Sequence, residues 1–285
     1  MPERTIAIVT DSTADLPADL RRRFGIEVVP VELRFGEESF ADGVTIDADA
    51  FLARMQSGGP PPRTVAPPAD RFAEAFRRLA ERHQGIIAIV GSGKLGSTLA
   101  SAMTARVEVA GIVPVAVVDS RSASMGLGWQ AVRAAELVAG GAPLEAIADT
   151  LRAETSRYEV IFFVDTLDHL RRGGRVGRAA ALIGQALDLK PLLRIDEGQV
   201  VPLDRARTHA RAVDALVDAV AAMGAIERVA ALHASGEAEG RALAGRLVAE
   251  LGLDPGQVLV ARIGPAVATH IGPGGLGVAV ADLPG

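Results

Sequence analysis

Short apolar runs alternate with helical segments along the first half of the chain. Asp, Ser or Gly bounds most of these runs, and the segments between them repeat apolar residues at amphipathic-helix spacing, as in RFAEAFRRLAERH at 71–83. This alternation predicts an α/β domain over residues 1–155, with a parallel, doubly wound sheet. The strand candidates are TIAIVTDS at 5–12, VVPVELRF at 28–35, IIAIVGS at 86–92 and VAVVDS at 115–120.

Residues 156–285 show a different pattern, with apolar runs joined by hairpin-like connections, one of them around Glu197 and Gly198. We predict a second α/β domain here, with a mixed sheet and helices on one face. The strand candidates are EVIFFVDT at 159–166, KPLLRIDEG at 190–198, QVVPLDRAR at 199–207, RVAALHA at 228–234 and VLVARIG at 258–264. The helix candidates lie near 179–188, 208–223 and 237–251.

Composition and charge narrow the classes of function. The 285 residues are 49% hydrophobic and carry a net charge of -5, so the chain can bury a large core and has no global attraction for nucleic acid or an anionic membrane. Without cysteine there is no disulfide, thiolate nucleophile or zinc-cysteine site. The N-terminus does not resemble a signal peptide. We therefore expect a cytoplasmic protein whose partners are small molecules or proteins.

Two segments rich in proline and glycine need separate interpretation. The stretch 258–281 is apolar, but its charged residue, prolines and glycines argue against a membrane helix and predict strand, loop, strand. The segment SGGPPPRTVAPP at 57–68 is predicted to be a long loop without secondary structure, which is more often functional than incidental.

The segment GSGKLGST at 91–98 follows a predicted strand and opens a helix. It lacks the Walker A spacing, because Leu95 follows Gly93-Lys94 where Ser or Thr is required. Backbone N–H groups at such a helix start favour a bound anion, but helix caps use the same residue types. From this segment alone, an anion site and a capping loop are equally good interpretations.

Two further motifs have both a structural and a functional interpretation. LRRGGRVG at 170–177 sets three arginines around paired glycines, which suits a carboxylate or phosphate but is also typical of a solvated turn. His270 stands in the apolar ATHIGPGG and could be a core histidine or a donor to a buried anion. No metal-ligand spacing surrounds it and no G-x-S-x-G elbow occurs in the sequence, so neither a metal site nor a Ser-His-Asp hydrolase is predicted.

Taken together, six segments resemble the DegV family of bacterial fatty-acid-binding proteins. They occur in the family's order across nearly the whole chain, which is more specific than any one motif. The segments are IVTDSTADLP at 8–17, SGKLGS at 92–97, VVDSRSASMGLG at 117–128, VDTLDHLRRGGRVGRAAALIG at 164–184, KPLLRIDEGQVVPLDRARTHARA at 190–212 and IGPAVATHIGPGGLGVAV at 263–280.

The resemblance implies two α/β domains that bury a long-chain fatty acid, with its carboxylate at the domain interface. It also implies a partner, the ATP-binding subunit of a fatty acid kinase, which phosphorylates the presented carboxylate to an acyl phosphate. The chain itself would have no catalytic residue, no ATP site and no cofactor.

The family's head-group residues can be placed on this sequence. The threonine of its Thr-Ser-Gln-Pro loop falls on Thr64, with Val65 and Ala66 in place of Ser and Gln. Its serine- and glycine-rich loop falls on Ser92 and Gly93, and Gly91 and Leu95 depart from the family pattern.

Three residues of the second half complete the implied set. The resemblance places His270 and Arg175 near the carboxylate and Arg207 on the surface that faces the kinase. We therefore predict a fatty-acid-binding protein that presents its ligand to a kinase. The alternatives are an enzyme that transfers phosphoryl or acyl groups to a small anion through Ser92 and His270, and a lipid-sensing regulator with the same pocket.

Overall fold

The computed structural model describes residues 6–182 and 189–283. Its strands are β1 (Ile6–Asp11), β2 (Ile26–Val29), β3 (Glu32–Phe35), β4 (Glu38–Ala41), β5 (Arg63–Val65), β6 (Gly85–Val90), β7 (Val115–Asp119), β8 (Tyr158–Phe163), β9 (Lys190–Asp196), β10 (Gln199–Ala206), β11 (Ile226–His233), β12 (Val258–Arg262) and β13 (Leu276–Asp282). Its α-helices are α1 (Ala18–Phe24), α2 (Ala48–Gln56), α3 (Ala69–Ala80), α4 (Thr98–Glu108), α5 (Met125–Ala139), α6 (Leu144–Ala153), α7 (Asp168–Arg172), α8 (His209–Ala221), α9 (Glu237–Leu251) and α10 (Pro265–Ile271).

The first half contains the predicted parallel sheet, in the order β2-β1-β6-β7. Strand β6 is buried along its whole length because helices cover both faces. Ile87 and Ile89 pack into the core on the side of α5 and α6, whereas Ile86 and Ala88 pack against α3 and α4. The sheet is therefore doubly wound, and its continuous apolar strands have the pattern that burial on both faces requires.

The second half forms the predicted mixed sheet, in the order β10-β9-β8-β13-β11-β12. Strands β11 and β12 are parallel, and the other neighbouring pairs are antiparallel. Helices α8 and α9 cover one face, and the other face packs against α5 of the first half. The predicted turn at Glu197-Gly198 is confirmed, with φ of 46° and 78°, as a two-residue hairpin requires.

A small antiparallel sheet in the first half was not predicted. Its order is β4-β3-β5. Pro30 separates β2 from β3, so the predicted single strand at 28–35 is wrong and its two parts join different sheets. The prediction of a structureless loop at 57–68 is also wrong, because β5 lies within it and pairs with β3. Three residues are too few to show a strand period in the sequence.

The prediction of strand, loop, strand at 258–281 is wrong in its centre, where the chain forms α10. Pro265 occupies the first turn of this helix, a position that tolerates its missing N–H. Of the predicted helix at 179–188, residues 179–182 belong to a 3-10 segment at Gly177–Leu182, and residues 183–188 lie outside the described residues. No helix in the described ranges combines the length and apolar character needed to cross a membrane.

The parallel sheet and the mixed sheet share one continuous core. Trp129 of α5 donates a hydrogen bond from Nε1 to the carbonyl of Ala279 in β13, at 3.1 Å. Ile87 of the parallel sheet and Val160 of the mixed sheet belong to the same buried cluster. The predicted domain division after residue 155 falls in the 3-10 turn Thr155–Arg157, and it stays a prediction.

Candidate functional site

An apolar cavity of about 370 Å³ lies between the first half and the mixed sheet. The loops after β6 and β7 line it from the first half, whereas β8, β11 and α10 line it from the second. Its apolar wall includes Val31, Leu95, Val160, Phe162, Leu170, Ile195, Val200, Leu232, Ile263, Val267 and Ile271. Hydroxyl side chains also line it, namely those of Thr13, Ser92, Ser97, Thr98, Ser122 and Ser124, but most of the lining surface is apolar. A cavity of this size and character suits a hydrophobic ligand that carries one polar end.

Thr64 and His270 form the polar end of this cavity. Thr64 is fixed in β5, where it pairs with Leu33 of β3, and His270 lies in the last turn of α10. Thr64 Oγ1 and His270 Nε2 are 3.0 Å apart and share a hydrogen bond whose direction depends on the imidazole tautomer. The fold thus brings together two predicted residues from opposite ends of the sequence.

His270 is uncharged in this site. Burial, followed by the nearby positive charge of Arg175, lowers the pKa of His270 to about 3. Its Nδ1 is buried and has no hydrogen-bond partner among the described residues. The ring packs directly on Gly173, where a β-carbon would lie 2.8 Å from His270 Cε1 and closer still to Nδ1. Close contact with Gly173 holds the neutral imidazole on one side, and the hydrogen bond with Thr64 holds it on the other.

Arg175 lines the same polar end and is fixed by two carbonyl groups. Its Nε donates to the Leu95 carbonyl of the first half at 2.6 Å, and its Nη1 donates to the Gly173 carbonyl at 2.5 Å. Burial lowers the pKa of Arg175, but a guanidinium stays charged at neutral pH. A fixed positive charge therefore stands near the His270 imidazole.

Ser92 and Gly93 differ in their relation to the cavity. Ser92 lines it, but the Ser92 hydroxyl donates to the Gly198 carbonyl at 2.8 Å, across the two halves. Gly93 is not among the lining residues, and its N–H donates to Asp119 Oδ1 at 3.3 Å because Asp119 ends the neighbouring strand β7. The structure brings Ser92 to the site and leaves Gly93 outside it.

Arg207 is not part of this polar end. It is exposed in the short connection between β10 and α8, and it lines none of the cavities described here. Its place on the surface is compatible with contact to another protein.

A second, polar cavity of about 460 Å³ adjoins the first and shares Thr64, Arg175 and His270 with it. Arg63 and His169 also line it. We call it the outer cavity. Its remaining described lining residues are Met55, Gly59, Pro60, Pro61, Pro62, Arg172, Gly173 and Thr269, so none of them is acidic.

The outer cavity contains residues that sequence reasoning missed. Arg63 and His169 were not singled out, and only the LRRGGRVG motif, with Arg172, pointed toward this region. Among residues 6–182 and 189–283, no group of three or more acidic or histidine side chains is arranged to hold a metal ion.

Comparisons with known proteins agree with this architecture. A family model described as an uncharacterised protein of the DegV family matches residues 5–283. A DegV domain-containing protein of Streptomyces coelicolor is 40% identical over 98% of this chain and 99% of its own length. Protein DegV of Bacillus subtilis is 32% identical over 96% of this chain and 98% of its own length.

Two solved structures share the fold. A DegV family protein from Thermus thermophilus, described as binding fatty acid, is 36% identical with a TM-score of 0.89, over 98% of this chain and 100% of that chain. DegV of Bacillus subtilis, described as a fatty acid binding protein, is 30% identical with a TM-score of 0.87, over 99% of this chain and 100% of that chain. The resemblance first drawn from sequence motifs is confirmed, and the chain belongs to the DegV family.

Proposed function

We propose that this protein binds a long-chain fatty acid and presents its carboxylate to a kinase subunit. The observation that carries the proposal is the apolar cavity whose one polar end holds Thr64, Arg175 and His270. The hydrocarbon tail occupies the apolar part, and the carboxylate lies at that polar end. The fatty acid binding described for the Thermus thermophilus and Bacillus subtilis relatives supports the same ligand class.

The tail and the head group of the fatty acid make different contributions to the binding free energy. Each buried CH₂ contributes about 0.8 kcal/mol, so a chain of some sixteen carbons offers on the order of 10 kcal/mol before ordering costs. An ionised carboxylate buried without partners would cost several kcal/mol. The tail therefore supplies affinity, and the polar end must supply hydrogen bonds and positive charge.

Thr64, His270 and Arg175 meet that requirement. When neutral His270 donates from Nε2 to Thr64 Oγ1, the Thr64 hydroxyl is left to donate to the carboxylate. The ligand's negative charge also favours protonation of His270, opposing the burial that keeps it neutral. The Ser92 hydroxyl becomes a further donor to the carboxylate when it rotates away from the Gly198 carbonyl. Gly93 needs a rearrangement of its bond to Asp119 before it could take part.

The outer cavity explains how the bound head group could react. The carboxylate lies between an apolar chamber and a positively charged one, and a fixed nucleophile lowers the cost of reaching the transition state. A carboxylate oxygen attacks the terminal phosphorus of ATP held by the partner, the bond to ADP breaks, and acyl phosphate forms. This protein is a binding subunit, not an enzyme by itself, and the use of ATP fits the expected cytoplasmic location.

Mass spectrometry tests the binding step. The purified protein is denatured, and small molecules released into organic solvent are identified and quantified. We expect close to one long-chain fatty acid per protein chain, either carried from the cells or loaded after delipidation. Absence of lipid in both preparations would contradict the proposal.

The enzymatic alternative finds less support in the geometry. The Ser92 hydroxyl donates to a backbone carbonyl, and the His270 imidazole pairs with Thr64. A nucleophile would instead have to donate to a base. The regulator alternative shares the cavity, and formation of acyl phosphate with a kinase subunit distinguishes it from the proposed function.

Changing Arg207 to alanine is expected to leave fatty acid bound and to lower kinase-dependent acyl phosphate formation by about tenfold, because arginines are frequent anchors of protein interfaces. The measurement is acyl phosphate trapped as hydroxamate at limiting concentrations of binding protein. Arg106→Ala, at an exposed arginine of α4, is the matched control. Loss of lipid from the Arg207 variant, or an unchanged rate, would remove Arg207 from the docking surface.

A further inference from the structure

At the start of helix α10, which carries His270, no side chain of the neighbouring sequence accepts a hydrogen bond from the first N–H groups. Its N-cap is Gly264, which has no side chain, and Pro265 follows it. The first N–H groups of a helix have no partner within the helix and need an acceptor from elsewhere when they are buried. The acceptors at this helix come from the first half of the chain.

Two carboxyl groups lie at this end of the helix. The Gly264 N–H donates to Asp15 Oδ1 at 2.8 Å. Asp42 lies close enough to the Ala266 N–H for that group to lower its pKa, and its Oδ2 is buried without a hydrogen-bond partner among the described residues. With a pKa of about 6, Asp42 is ionised at neutral pH and also interacts favourably with the helix dipole. Asp15 thus binds one free N–H group of this helical turn, and Asp42 faces the next.

The carboxyl groups are themselves tightly held. Ser124 Oγ and Asp15 Oδ2 share a hydrogen bond at 2.6 Å, which the Ser124 hydroxyl donates when Asp15 is ionised. The Ser12 side chain lies close enough to Asp42 to lower the pKa of its carboxyl, and Asp42 is only 4% exposed. A β-carbon at position 264 would lie 2.9 Å from Asp15 Oδ1, so the close approach of this acid to the helix requires glycine there.

We infer that Asp15 and Asp42 are positioning residues that hold the first turn of α10 on the first half and thereby place the His270 imidazole at the head-group end of the cavity. Helix α10 has 7 residues, and backbone hydrogen bonds from the Ala268 N–H to the Gly264 carbonyl and from the Gly272 N–H to the Ala268 carbonyl, both at 2.9 Å, connect its first turn to the turn that carries His270. A shift of the first turn therefore moves His270. Thr64, the partner of His270, belongs to the same half as the two acids. The inference rests on the proposed fatty-acid site.

The charges around the junction support this arrangement. Burial is the main cause that raises the pKa of Asp15 to about 8 and the pKa of Asp42 to about 6. The negative charge of Asp42 raises the pKa of Asp15 further, and Asp11, whose own pKa is raised by burial, raises the pKa of both. A third cavity, of about 450 Å³, adjoins this junction, and the other charged groups that line it are Arg21, Asp47 and Arg262. Asp15 is thus mainly protonated at neutral pH and can donate to the Ser124 oxygen.

An asparagine at position 15 can reproduce both contacts of the protonated acid, whereas alanine can reproduce neither. We expect Asp15→Ala to speed fatty acid dissociation about tenfold, and Asp15→Asn to remain within about twofold of the unmodified protein at pH 7. Dissociation is followed by transfer of a fluorescent fatty acid to vesicles. Asp42→Asn is the second variant, in case Asp15→Ala fails to fold.

A double-mutant cycle separates positioning from general loss of stability. If Asp15 acts through His270, Asp15→Ala changes dissociation much less in a His270→Ala background. Val220→Ala, in the buried face of α8 away from α10, controls for destabilisation and should leave dissociation unchanged. Additive effects of the two substitutions, or an Asn variant as impaired as the Ala variant, would overturn the inference. Unmodified protein that binds no fatty acid would instead refute the proposed function.

The pH dependence of unfolding gives an independent measurement. Because the pKa of Asp15 rises from 3.8 to about 8 on folding, the folded protein holds the extra proton and stability declines as pH increases between these values. From pH 6 to 8, which is above the pKa of Asp42, release of this proton should raise the unfolding constant of the unmodified protein by up to about tenfold per pH unit. The Asp15→Asn variant should lack that rise. An unchanged slope in urea unfolding would contradict the raised pKa of Asp15.

Discussion

Replacing His270 with alanine is expected to raise the dissociation constant for a long-chain fatty acid by about tenfold to a hundredfold. Hydrogen bonds to a charged group contribute about 1.5–3 kcal/mol, and the variant loses both the imidazole and its support of the Thr64 hydroxyl. Most of the tail's contribution remains, so binding is weakened and not abolished. Titration of delipidated protein with a fluorescent fatty acid measures the change.

The same variant should lose kinase-dependent acyl phosphate formation by at least the same factor, because the carboxylate is no longer held in one orientation. His209→Ala, at an exposed histidine of α8, is the control for affinity and should retain fatty acid binding. The unfolding midpoint in urea checks that the His270 variant keeps its fold. Unchanged affinity and unchanged turnover together would remove His270 from the head-group site.

The parallel sheet and its helices could be predicted because their signals are local. Strand β6 is apolar at each position from Ile86 to Val90, as burial on both faces requires, and α3 carries its phenylalanines at helical spacing. The hairpin at Glu197-Gly198 follows from two residues that tolerate positive φ. Each of these elements is determined by its own few residues.

The elements that were missed depend on distant contacts. Strand β5 is three residues long and exists because β3 offers it an edge. Helix α10 lacks a cap of its own and depends on Asp15, which lies far away in the sequence. No pattern within residues 258–281 indicates that Asp15 lies beside this segment in the folded chain. The sequence pattern therefore predicts a loop where the chain forms a helix.

The candidate site was predictable to the extent that its residues lie in motifs. Thr64, Arg175 and His270 followed from the family resemblance, and the structure places them at one end of the cavity. Arg63 and His169 come from separate loops, and only the folded chain shows that they face the same outer cavity. Gly93 was chosen for its motif, but its backbone contact is decided by Asp119 on the neighbouring strand.

Gly173→Ala is expected to weaken fatty acid binding about as much as loss of the imidazole itself. The added methyl group would lie 2.8 Å from Cε1 of His270 and closer to Nδ1, so the ring must turn away from Thr64. Gly173 has φ of -75°, which alanine adopts without strain, so the collision alone accounts for the effect. Overpacking of this kind costs about 1–3 kcal/mol when the neighbours cannot move.

Gly245→Ala in α9 is the matched control for this prediction. It makes the same chemical change at a glycine with no heavy atom within 4 Å of the new β-carbon, and alanine favours the helix. Fatty acid titration should separate the two variants, with binding weakened in the first and unchanged in the second. Adding His270→Ala to Gly173→Ala should cause little further loss, because both changes remove the same imidazole from the head group. Equal affinity of the two glycine variants would show that the ring's fixed position is not what binds the carboxylate.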